Sequence, residues 1–68
     1  MRSHFLTTRE KEIFDLLTKN NDTLEIADLL KISEKTVRNH ISNVIQKLGV
    51  KGRSQAILEL IRIGEISL

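Results

Sequence analysis

Apolar residues recur along the chain with helical spacing in four blocks separated by polar or glycine breaks. Ile13, Leu16 and Leu17 form the first, and Ile26, Leu29 and Leu30 the second. Val37, Ile41, Ile45 and Leu48 form a third stripe at intervals that bring one face of a helix inward. The last block is denser, with Ala56, Ile57, Leu58, Leu60, Ile61 and Ile63. The spacing predicts an all-α, compact four-helix domain with helices at about 8–19, 23–30, 34–48 and 53–63. Residues 1–6 read as an N-terminal arm and 7–68 as the domain.

The boundaries carry their own chemistry. Thr7 with Glu10, and Asp22 with Glu25, have the spacing of a capping box, in which each side chain serves a backbone N–H of the other residue. Ser33 is a capping residue for the third helix, and Gly49 supplies a left-handed stop. Gly52 with Gln55 begins the fourth helix, and Gly64 closes it. Between the second and third helices only Lys31 and Ile32 are left for a connection. Two short helices so closely joined must cross steeply, and the small Ala27 lets them approach, which is helix-turn-helix geometry.

Charge sharpens this picture. The net charge is only +2, yet positions 35–53 carry five basic side chains (Lys35, Arg38, Lys47, Lys51, Arg53) and no acid. A field of one sign along one element points to a polyanionic partner, here double-stranded DNA. With the apolar stripe inward, Lys35, Arg38, Asn39, Ser42 and Gln46 face outward. Arginine can donate two hydrogen bonds to guanine O6 and N7, and asparagine pairs in the same way with adenine. Lys35, Arg38, Asn39 and Ser42 are therefore the expected base readers, with Arg38 foremost. Ser33, Thr36, His40, Lys47, Lys51 and Arg53 are the expected contacts to the DNA backbone, the first two at the positive end of the helix. Several of these have intramolecular alternatives. Ser33 can serve as a cap alone, Thr36 can bond within the first turn, His40 can pack, Lys47 and Lys51 can be solvated, and Arg53 can pair with Glu10 or Glu12. Glu34 complements the helix dipole or accepts from a cytosine amine.

Other chemistries find little footing. The sequence has no cysteine, so disulfides, thiolate zinc sites and cysteine nucleophiles are excluded together. His4 and His40 alone cannot build a metal site, and no nucleophile–base pair or phosphate loop is visible, so neither a cofactor, a small-molecule ligand nor an enzyme activity is expected. No apolar run has membrane-spanning length and no signal peptide pattern opens the chain, which suits a cytoplasmic protein.

The segments 6–13 (LTTREKEI), 25–27 (EIA), 33–40 (SEKTVRNH), 46–49 (QKLG) and 53–56 (RSQA) resemble the LuxR/FixJ/NarL helix-turn-helix family across nearly the whole chain. The stretches 32–44 and 47–56 are most similar to stand-alone members that govern spore-coat genes. The resemblance implies a third helix that enters the major groove, a fourth that forms a two-fold dimer, and transcriptional regulation through contact with RNA polymerase. It places family base readers on Arg38, Asn39 and Ser42, with Lys35 adjacent. It places backbone contacts on Thr36, Lys47 and the turn before Ser33. Ser42 stands where some relatives have a longer basic residue.

The fourth helix independently suggests self-association. Ile57, Leu60 and Ile61 suffice for the intramolecular core, so Leu58 and Ile63, with Ile66 and Leu68, are surplus. Leu58, Arg62 and Ile63 form the expected homodimer interface. Two further readings stand beside a complete regulator: the output domain of a two-component response regulator, and a helical interaction module that docks an acidic protein through the same basic face.

Overall fold

A computed structural model describes residues 5–67. Its helices are α1 (Thr8–Thr18), α2 (Thr23–Leu30), α3 (Glu34–Leu48) and α4 (Arg53–Arg62), and no strand occurs among the described residues. The fold is the expected all-α arrangement, with α1 and α4 each one residue shorter than the spacing suggested. The expectations for residues 1–4 and Leu68 lie outside the described residues.

Local chemistry sets each start. In α1 the Thr7 hydroxyl accepts from Glu10 N–H at 3.1 Å while the Glu10 carboxylate accepts from Thr7 N–H at 2.9 Å. Asp22 and Glu25 make the same reciprocal pair at 2.8 Å each. Ser33 Oγ accepts from Thr36 N–H at 3.0 Å and opens α3. Gly52 precedes α4 with no side-chain cap, so the expected partnership with Gln55 does not form.

The turn into α3 is what sets the angle of the helix-turn-helix pair. Lys31 adopts the left-handed conformation, φ 58° and ψ 46°, and lets Ile32 N–H reach back to Ala27 C=O at 3.0 Å. A non-glycine residue there costs about 1 kcal/mol, a strain tolerated because it reverses the chain within two residues. Gly49 ends α3 in the same region of backbone space (φ 70°), with its N–H shared between Ile45 and Gln46 carbonyls.

The core gathers one face from every helix. Ile13, Phe14, Ile26, Val37, Val44, Ala56 and Leu60 are wholly buried, with Ile41, Ala27, Leu6 and Ile66 nearly so. Two expectations change. On α3 the innermost position is Val44, whereas Ile45 is half-buried. At ~100° per residue Val44 lies about 20° from Val37 and Ile45 about 80° away, so the inward stripe runs through Val44. Ile66, expected to be surplus, is 4% exposed, because Gly64 (φ 82°) folds the tail back and Glu65 N–H bonds Leu60 C=O at 2.9 Å. Leu58 and Ile63 do remain exposed, as do Leu24 and Leu29 of α2.

Candidate nucleic-acid interface

The outer face of α3 emerges from this packing. With Val37, Ile41 and Val44 inward, Lys35, Arg38, Asn39, Ser42, Asn43 and Gln46 are all exposed on its other sides. The base-reading candidates thus share one accessible surface, starting at the first turn. Asn43 is exposed as well, but stands about 100° around the helix from Ser42.

The helix start is tightly organised. Ser33 and Thr36 are joined twice, through the capping bond and through their hydroxyls at 2.8 Å. Both expected uses of Ser33 remain compatible, since capping occupies its oxygen but leaves other N–H groups of the first turn directed outward. Glu34 does more than complement the dipole. One of its oxygens, Oε2, accepts from the Thr23 hydroxyl at 2.6 Å and from Arg38 Nε and Nη2 at 3.2 and 2.7 Å. The Thr23 and Arg38 hydrogen bonds hold its carboxyl below its ordinary pKa, outweighing the effect of burial.

At the far end of α3, Lys47 is drawn inward. Its ammonium donates to the Glu10 carboxylate at 2.8 Å and to Phe5 C=O at 3.0 Å, and lies 5.3 Å from the centre of the Phe5 ring. Glu10 is only 5% exposed. Burial pushes the Glu10 pKa up, but the Lys47 bond and charge, the Thr7 N–H and the nearby His40 prevail, so it lies below its ordinary value. The alternative pairing of Arg53 with Glu10 or Glu12 is overturned: Glu10 takes Lys47, and Glu12 takes Arg9 at 3.3 Å. Lys51 and Arg53 stay exposed on the loop and at the start of α4, and His40 is half-buried.

On α4, Leu58 is 67% exposed and Ile63 42%. Arg62, the third expected interface residue, pairs with Glu59 one turn earlier, its Nε donating to Oε1 at 3.0 Å. Among the described residues no His, Cys, Asp or Glu group could hold a metal ion, and no helix is long and apolar enough to cross a membrane.

Known proteins share this arrangement. Residues 4–60 match the family of bacterial regulatory proteins, luxR family. The chain is 67% identical over 63 residues to the spore germination protein GerE of Bacillus subtilis, covering 93% of this chain and 85% of that protein. It is 45% identical over 65 residues to the transcriptional regulatory protein DegU of Brevibacillus brevis, spanning 96% of this chain but only 28% of that longer protein. A solved structure of the transcription factor GerE superposes with a TM-score of 0.92 at 70% identity, covering 97% of each chain. This chain therefore belongs to the luxR family of bacterial regulatory proteins and is a DNA-binding transcription regulator.

Proposed function

We propose that the protein binds operator DNA as a homodimer, each subunit laying α3 in the major groove. The observation that carries this reading is the exposed polar face of α3, continuous with a stretch of chain that contains five basic residues and no acid between positions 35 and 53. Lys35, Arg38, Asn39 and Ser42 read bases; Ser33, Thr36, His40, Lys51 and Arg53 fix the register on phosphates. Lys47 joins the second group with its third N–H, the other two being engaged by Glu10 and Phe5. Leu58, Arg62 and Ile63 pair the subunits. Residues 7–68 act as the DNA-binding and dimerisation unit, and Leu6, expected in the arm, joins its core instead.

The likeness to a spore germination protein and transcription factor supports genes of spore development as the targets; late sporulation and spore-coat genes, and RNA polymerase as the partner, are what the family resemblance implies. DNA as partner supports a cytoplasmic location. Selection of bound sequences from a random duplex pool tests the reading. It is expected to return two half-sites with fixed spacing and an affinity that falls steeply with salt. Arg38→Ala is expected to cost about 1–3 kcal/mol at one base position and to leave the other positions as they were. An unchanged selection profile for that variant overturns the assignment of Arg38, and binding without site preference overturns the reading as a whole.

A further inference from the structure

We propose that Glu34 is a positioning residue for base readout: its carboxylate clamps one edge of the Arg38 guanidinium to α2 and leaves the other edge free for guanine. The inference rests on Arg38 as a base reader and adds what presents it. Glu34 is the first residue of α3, and Arg38 stands one turn later on the same face. The clamp has three donors on a single oxygen, Glu34 Oε2: Arg38 Nε at 3.2 Å, Arg38 Nη2 at 2.7 Å, and the Thr23 hydroxyl at 2.6 Å. Thr23 is itself 9% exposed at the first position of α2, so the clamp is anchored on a fixed part of the fold.

A guanidinium offers five N–H groups in a planar fork. The clamp takes the Nε–Nη2 edge. Both hydrogens of Nη1 and the second of Nη2 remain, and this Nη1–Nη2 edge is suited to pair with guanine O6 and N7 together. The Arg38 side chain is 63% exposed and Glu34 30%, so the guanidinium stays accessible while its carboxylate partner is partly covered. An arginine held in this way reaches a base with less rotamer freedom to lose, which favours the site it fits. The carboxylate also repels every phosphate alike. It therefore weakens binding to cognate and random duplex by the same amount, so the gap between them comes from the presented guanidinium edge alone.

The test is sequence selection from a random duplex pool with wild type, Glu34→Gln, Thr23→Val, Arg38→Ala and the Glu34→Gln/Arg38→Ala pair, each checked by thermal unfolding. Glu34→Gln is expected to reduce base preference roughly tenfold at the position lost in Arg38→Ala, and at no other. It is expected to bind random duplex more tightly than wild type, and the double variant to match Arg38→Ala at that position. Thr23→Val removes one donor and no charge, and is expected to lower the same preference a few-fold, which keeps the inference testable should Glu34→Gln fold poorly. If Arg38→Ala changes the profile while Glu34→Gln and Thr23→Val do not, the inference falls and the Arg38 assignment stands. An unaltered Arg38→Ala profile overturns both. Flattening at all positions alike marks Glu34 as merely structural and also overturns it.

Discussion

Lys47→Met is expected to lower the melting temperature by about 10 °C while keeping the four helices. The reasoning starts from Glu10, whose carboxylate is 5% exposed and accepts from Lys47 at 2.8 Å and from Thr7 N–H at 2.9 Å. Methionine keeps most of the aliphatic reach of lysine and its contact with Phe5, but leaves a carboxylate out of water without its cation. Breaking a fully buried pair costs ~3–5 kcal/mol, and the 34% exposure of the Lys47 side chain reduces this to about 2 kcal/mol. In a domain of this size, whose core supplies only a few kcal/mol, that is a large share, and each 1 kcal/mol moves the midpoint by ~4–8 °C. Adding Glu10→Gln is expected to recover part of the loss, because the amide still accepts from Thr7 and carries no charge. A midpoint within 2 °C of wild type by calorimetry would show that water reaches this pair freely.

The same contact predicts how stability depends on pH. The Glu10 pKa is depressed in the folded protein, so between its folded and unfolded values the folded state binds fewer protons. The contribution is complete above the ordinary carboxylate value, about 4.3, and is lost as pH falls through the lower folded value. Melting temperatures of wild type and Glu10→Gln are therefore expected to differ at neutral pH and converge in acid. A constant difference across that range would separate Glu10 from the acid transition.

These two contacts mark where sequence reasoning runs out. Capping boxes were legible because both partners lie three residues apart, and the αL stop at Gly49 because glycine has few other reasons to stand there. Glu34 and Arg38 have the i, i+4 spacing of a helical ion pair, yet only the fold brings Thr23 to the same oxygen. Lys47 and Glu10 are separated by 37 residues, and no local rule selects one acid from several in α1. The basic run was legible as a run of one sign, while the turn of α3 that brings the Lys47 ammonium onto Glu10 was not visible. Ile66 was misjudged for a related reason: its burial depends on Gly64 turning the tail across Leu60, not on helical periodicity.

Leu58→Glu is expected to leave the subunit folded and to reduce affinity for a two-half-site operator by roughly 10²-fold or more. Leu58 is 67% exposed, so its replacement removes no core contact, and Ala56 and Leu60 beside it stay wholly buried. What it changes is the outer face of α4, where Glu59 already carries a charge balanced by Arg62. A second carboxylate there would be desolvated in a two-fold interface and would meet the same face of the other subunit, so each dimer would bury two unpaired charges. Linked half-sites convert the second binding event into an intramolecular one, and that gain vanishes when the subunits separate. The measurement pairs sedimentation with binding to duplexes that carry one or two half-sites. Loss of affinity for the double site, with affinity for the single site unchanged, assigns α4 to dimerisation. Equal loss on both duplexes would instead mean that Leu58 supports α3 within the subunit, and a dimer that persists in Leu58→Glu would move the two-fold contact away from this face.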